Sequence, residues 1–168
     1  MQNIISLNQS KVIVSKHVVA NVYQDIDNKQ FALHAAIAFN KGDVIADFSA
    51  ATTQSYASYL TVQVDTDKHI TLKPAFLQYI NHSCEPTVFF DTALMQLTAL
   101  TDIKPGQEFT FFYPSTEWDM AQPFVCNCGS KNCLQLINGA KHLDKKTLQK
   151  YQLTQFINQQ LQLKKQEA

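Results

Sequence analysis

The sequence predicts a single, mostly β domain of short strands with a helical tail, and three observations carry that reading. Apolar and β-branched runs recur between residues 11 and 113, cut at short intervals by turn-forming strings such as Asp25-Ile26-Asp27-Asn28, Lys41-Gly42 and Lys104-Pro105-Gly106. The four cysteines divide into one upstream singleton, Cys84, and one tight cluster of Cys126, Cys128 and Cys133. At 168 residues, 45% of them hydrophobic, the chain is long enough for one core and too short for two comfortable ones.

Taken in order, residues 11–23 form a valine-rich extended run and residues 30–37 a second, with turn chemistry between them. Residues 44–48 make the next strand, and 58–64 pairs with 69–72 across Asp65-Thr66-Asp67-Lys68. Pro74 opens a short helix that carries Phe76, Leu77 and Ile80 forward. Residues 87–90 and 94–100 read as a hairpin, and 108–113 as a strand of β-branched and aromatic residues. The stretch 114–133 is irregular. Asp144 caps a helix through Tyr151 and Thr154 a second through about Leu163, with Leu148, Tyr151, Phe156, Ile157 and Leu161 on apolar faces. No repeat, low-complexity segment or linker interrupts the chain.

The charge is balanced, with 14 basic and 14 acidic residues, and every basic residue is a lysine. Bidentate guanidinium recognition of phosphate is therefore absent, and no direct nucleic-acid or membrane binding is expected. Neither a signal-peptide pattern nor a run of transmembrane length is present, so the expectation is a soluble, intracellular protein. In a reducing compartment four cysteines point to metal rather than to disulfides, and four thiolates make one closed tetrahedral zinc site from Cys84, Cys126, Cys128 and Cys133. The plainer alternative is a buried structural Cys84 beside a partial three-thiolate site.

Cys84 lies in Tyr79-Ile80-Asn81-His82-Ser83-Cys84-Glu85-Pro86, an apolar entry into a crowded polar turn that Pro86 prevents from continuing as helix. Downstream stands Gly106-Gln107-Glu108-Phe109-Thr110-Phe111-Phe112-Tyr113, and upstream Phe39-Asn40-Lys41-Gly42-Asp43-Val44-Ile45. Together with the cysteine cluster, and in this order over about residues 31–139, these strings resemble the SET-domain protein lysine methyltransferases. The resemblance implies a β-clip of short sheets with pseudoknot-like C-terminal threading, a zinc-bound post-SET segment and short C-terminal helices. It divides one structural unit into a SET-like core at 1–113, a post-SET zinc segment at 114–139 and a helical tail at 140–168.

The resemblance also implies S-adenosyl-L-methionine as cofactor and a protein presenting a lysine as substrate. By position, Phe31, Ala32, Tyr59, Asn81, His82 and Phe124 are implied cofactor contacts, with Trp118 an alternative to Phe124 because Leu136 replaces the aromatic that often follows the last cysteine. Tyr113 is the implied catalytic residue, Phe111 the control on how many methyl groups are added, and Phe48 stands where the family has another channel tyrosine. Gln30 and Ala32 replace two glycines that flank the aromatic in the family, which removes backbone freedom there. Taken in isolation, Asn81 and His82 would be turn-capping and core residues, and Tyr113 a strand-end tyrosine in water. Two rival readings remain: a weak or inactive SET fold kept as a zinc-stabilised interaction module, and a zinc-ribbon nucleic-acid binder, for which the composition offers no basic face.

Overall fold

The computed structural model describes residues 10–166; residues 1–9, part of the stretch read for a signal sequence, lie outside it. Strands β1 (Lys11–Lys16), β2 (Ala20–Asp25) and β3 (Phe31–Ala35) form an antiparallel sheet in that order. The run expected as one stretch over 11–23 is thus two strands. The reversal is closed by the His17 N–H donating to the Ala20 carbonyl at 2.8 Å, without the glycine or proline that would have marked it. The β2–β3 turn is the expected one: Asp25 Oδ1 accepts from the N–H groups of Asp27 and Asn28.

Strand β4 (Val44–Asp47) is followed at once by β5 (Ser49–Gln54), and then come β6 (Val62–Asp65) and β7 (Lys68–Lys73), paired in the order β5-β7-β6. The β6–β7 hairpin agrees with the sequence reading, but β5 has no hydrophobic alternation to announce it. It is held through its ladder to β7 and a 2.6 Å contact between the Thr52 and Thr71 hydroxyls. Pro74 precedes a 3-10 turn at Ala75–Tyr79, which delivers the two-residue strand β8 (Asn81–His82). Strands β9 (Val88–Asp91) and β10 (Gln96–Ala99) form the expected hairpin, and β10 also pairs with β4.

Strand β11 (Thr110–Phe111) runs parallel to β8, Thr110 opposite Asn81 and Phe111 opposite His82. The strand expected over 108–113 is therefore shorter, because the chain turns at Pro114 into a 3-10 segment at Tyr113–Ser115. Strands β12 (Phe124–Val125) and β13 (Leu136–Ile137) close the cysteine-bearing loop as an antiparallel pair. In the tail, Asp144 caps α1 (Lys145–Leu148) by accepting the Thr147 N–H at 2.7 Å, and Thr154 precedes α2 (Gln155–Gln166). No helix among the described residues is long and apolar enough to cross a membrane.

Apolar side chains gather into three clusters. The main core holds Val22, Leu33, Ile70, Leu77, Ile80, Phe90, Leu97, Ile103 and Phe109; complete burial of each such side chain stabilises by about 1.5–3 kcal/mol. A second cluster packs Ala140, Leu148, Phe156 and Ile157 against Trp118, and a third surrounds Cys84 and Cys126 with Ile137, Tyr113 and Phe124.

Gly139 joins the last two clusters. Its φ is +110°, and a Cβ there would lie 2.5 Å from the Trp118 carbonyl oxygen. Gly139→Ala should therefore destabilise by about 2 kcal/mol or more in a denaturant melt, combining strained backbone with a steric clash. Gly42→Ala, at φ +93° with open space around it, should cost only about 1 kcal/mol. Equal losses in the two variants would show that the close approach at Gly139 carries no weight.

Candidate active site

Two backbone segments meet to build the site. The β8–β11 pairing continues as the Ser83 N–H donates to the Phe111 carbonyl (3.1 Å) and the Thr87 N–H to the Thr110 carbonyl (2.9 Å). The polar turn from Asn81 to Cys84 is thereby clamped beside the segment leading into Tyr113. From the tail, Tyr151 stacks on Phe112 at 3.6 Å and donates its hydroxyl hydrogen to the Cys84 carbonyl at 3.0 Å.

The turn's polar side chains are largely engaged within the protein. Asn81 Nδ2 donates to the Phe31 carbonyl (2.9 Å) and to Glu108 Oε1 (3.1 Å), which uses both amide hydrogens and leaves Oδ1 for another partner. His82 Nδ1 accepts the Tyr113 N–H at 3.3 Å, so the ring proton sits on Nε2, 3.4 Å from Cys84 Sγ. Burial lowers the His82 pKa to about 4, keeping the ring neutral.

A cavity of about 830 Å³ opens beside this turn. Its wall includes Phe31, Tyr79, Asn81, His82, Phe111, Tyr113, Glu117 and Phe124, and Tyr59, Cys126 and Cys128 also line it. The rings of Phe111 and Tyr113 lie 4.6 Å apart, and Phe124 stands edge-on to both His82 and Tyr113. Phe112 between them is still extended (φ −83°, ψ 101°), so Phe111 and Tyr113 share one side of the chain although Tyr113 already opens the 3-10 turn. Burial, and then the charges of Glu117 and Glu108, push the Tyr113 phenol up to about 12. Its hydroxyl points to the Ile80 carbonyl at 3.4 Å.

The remaining sequence candidates are placed differently. Phe48 does not reach the wall; it packs edge-on at 5.4 Å behind Phe90, which does. Ala32 is buried in β3, outside the lining. Tyr59 is 79% exposed in a loop before β6, where the sequence reading put it in a strand. Of the two aromatic substitutes for Leu136, Phe124 lines the cavity and Trp118 packs with the tail.

The four thiols are together: Cys84, Cys126, Cys128 and Cys133 present sulfur atoms all within 4.8 Å of one another. A tetrahedral ion with metal–sulfur bonds of about 2.3 Å needs sulfurs about 3.8 Å apart, within about 1 Å of the upper limit of these separations. Burial pushes Cys84 up and Cys126 up to about 11. Burial acts in the same direction on Cys128, but N–H groups of Cys84 and Ser130 and neighbouring thiols outweigh it and bring Cys128 down to about 6. The donor set is all sulfur, closed and partly buried, which suits a structural zinc.

Sequence reasoning missed Glu117. The residue is 7% exposed, on the cavity wall, and burial raises its carboxyl to about 7 despite hydrogen bonds from Gln63 and Thr116. Its one sequence signal is a glutamate just beyond the turn that begins at Tyr113, which no motif singles out.

Comparison with known proteins places this site in a family. A family model described as the SET domain matches residues 4–114, well over half of the chain. The chain is 38% identical over 123 residues to "Methyltransferase flvH" of Aspergillus flavus, across 72% of this chain and 68% of that one. It is 27% identical over 92 residues to a "Histone-lysine N-methyltransferase, H3 lysine-36 specific" of Debaryomyces hansenii, across 51% of this chain and only 12% of the longer relative. A solved structure of a humanized mutant of the Chaetomium thermophilum Polycomb Repressive Complex 2 aligns with a TM-score of 0.41 and 18% identity, over 74% of this chain and 19% of that one. With the motif match over residues 4–114 and a 38% identical relative spanning most of both chains, the chain belongs to the SET-domain family of methyltransferases.

Proposed function

We propose that the protein transfers a methyl group from S-adenosylmethionine to the ε-amine of a lysine in a protein substrate. The observation that carries this reading is the aromatic-walled cavity in which the Tyr113 hydroxyl and the Phe111 ring lie beside Asn81 and His82. A cavity of about 830 Å³ is of the size that takes a nucleoside cofactor with a side chain beside it. Asn81 Oδ1 and the rings of Phe31 and Phe124 are the groups available to hold the cofactor, which supplies a methyl on a positively charged sulfur. Ala32 and Phe48, both away from the wall, would act on that site only through packing.

The residues then divide the work. A lysine amine has a reference pKa of about 10.4 and attacks only when neutral, so the wall must favour loss of its proton and fix the direction of its lone pair. Apolar rings disfavour the ammonium by desolvation. The Tyr113 hydroxyl hydrogen is engaged with the Ile80 carbonyl, so its oxygen is left to accept an amine N–H. Held near a pKa of about 12, it orients the amine rather than serving as a bulk proton acceptor. Phe111, with no hydroxyl, leaves room for an amine that already carries a methyl.

In the same reading, the four cysteines hold one zinc ion that fixes the part of the cavity lining to which Cys126 and Cys128 belong. Residues 1–113 are the SET core, 114–139 the metal-holding segment and 140–168 a brace, with Tyr151 the brace's contact to the Cys84 turn.

The direct experiment is incubation of the purified protein with methyl-labelled cofactor and a cell lysate, read by mass spectrometry of protein lysines. Label on lysine is expected, and its absence from protein would contradict the reading. Tyr113→Phe should leave cofactor affinity nearly intact and lower turnover by roughly two to four decades; wild-type turnover would remove Tyr113 from the mechanism. Phe111→Tyr should keep the first methyl transfer and suppress later ones, so an unchanged distribution of methyl states would mean that the cavity is bounded elsewhere.

A further inference from the structure

The part of the cavity that the proposed chemistry leaves unused is the Glu117 carboxylate. Its backbone N–H donates to the Tyr113 carbonyl at 3.0 Å, so Glu117 and Tyr113 project from one turn of chain. One carboxylate oxygen is fixed. Oε1 accepts the Gln63 N–H at 2.9 Å and lies 3.1 Å from the Thr116 hydroxyl, while the Trp118 N–H donates back to Gln63 Oε1 at 3.0 Å. The other oxygen, Oε2, has no hydrogen-bond partner among the described residues, on a side chain that lines the cavity.

A structural role does not account for that arrangement. A glutamine would make the same bonds through its carbonyl oxygen, with no charge to bury. Burying a carboxylate without a cation is costly, and the ion pairs among the described residues are made by Lys141 and His142 with Asp119, not with Glu117. A buried acid with one oxygen free in a cavity is the expected form of a cation receptor before its ligand arrives.

We infer that Glu117 is a cation-docking carboxylate, whose Oε2 accepts an alkylammonium group entering the cavity. The inference rests on the methyl-transfer reading for the two sources of such a group: the amino group at the methionyl end of the cofactor, and the ε-ammonium of a lysine. Either makes a charge-assisted hydrogen bond inside a low-dielectric wall, where it is stronger than in water.

The pH behaviour is specific. Burial holds the Glu117 acid at about 7, so the anion that attracts a cation is present above that pH and lost below it. Of the ionisable groups nearby, Tyr113 is pushed up to about 12 and His82 down to about 4, and burial also lowers His69, which pairs with Gln63 across β6 and β7. Cys126 and Cys128 belong to the thiol cluster, and Tyr59 and Tyr79 stand elsewhere on the cavity lining. The remaining acidic groups on the packed segments are Asp65, Asp67, Glu108 and Asp119; Glu108 accepts from Asn81 Nδ2, and none of the four lines the cavity.

The test compares the wild type with Glu117→Gln, which keeps the Oε1 bonds and whose folding a melting curve verifies. S-adenosylmethionine and Nα-acetyl-lysine amide are titrated separately into each protein at about pH 8 and about pH 6. At the higher pH the variant should bind one of the two roughly ten- to a hundredfold more weakly, and at the lower pH the gap should shrink. A loss confined to S-adenosylmethionine assigns the ammonium to the cofactor; a loss confined to the lysine probe assigns it to the substrate. A folded Glu117→Gln protein that binds both probes as the wild type does at both pH values overturns the inference while leaving the methyl-transfer reading intact. A wild type that binds the lysine probe through Glu117 but not S-adenosylmethionine would overturn the methyl-transfer reading alone. If the wild type binds neither probe, both are overturned.

Discussion

The arrangement depends first on what His82 does with its two ring nitrogens. One accepts the backbone N–H of Tyr113, and the other, which must then carry the proton, faces Cys84 Sγ. A single neutral ring thus ties the start of the turn after β11 to the thiol cluster. Protonation would turn its acceptor into a second donor aimed at the Tyr113 N–H, and burial opposes the charge as well. The parallel β8–β11 pairing brings the two segments side by side, and the histidine fixes their spacing.

Around that tie the cavity combines apolar rings with a few polar groups whose ionisation is displaced from its ordinary range. Tyr113 is held neutral well beyond physiological pH, whereas Glu117 sits near neutrality because burial and two hydrogen bonds act in opposite directions. The same desolvation that disfavours a buried ammonium also strengthens its hydrogen bond to a carboxylate. Entry of a cation and loss of its proton are therefore opposing demands on one wall. The pairing of a neutral phenol with an ionisable acid on a single turn of chain is a physical way to meet both.

The sequence disclosed the parts of this structure that rest on local chemistry. The Asx turn at Asp25, the hairpins at β6–β7 and β9–β10, and the caps at Asp144 and Thr154 follow from side chains that leave the backbone few choices. The grouping of the four cysteines was legible because three lie close together, a closed tetrahedral site needs a fourth thiolate, and the resemblance of the turn around Cys84 points to that residue. By contrast, β5 is a polar, exposed strand specified by its neighbour rather than by its own pattern, and the β1–β2 reversal uses a backbone bond that no residue type advertises. Phe111 and Tyr113 meet because the chain stays extended through Phe112 before the 3-10 turn begins. Glu117 was illegible because its meaning comes from burial beside Gln63, 54 positions away in the chain.

The central claim is that the thiol cluster and the cavity are one unit, joined through His82 and through Cys126 and Cys128 in the cavity lining. The most direct measurement is the affinity of the protein for S-adenosylmethionine before and after treatment with a chelator that would remove the zinc proposed for the four thiols, with circular dichroism to verify that the sheets persist. The account predicts that chelation weakens cofactor binding by roughly tenfold or more and that added zinc restores it. A chelated, folded protein that binds the cofactor with undiminished affinity would contradict it.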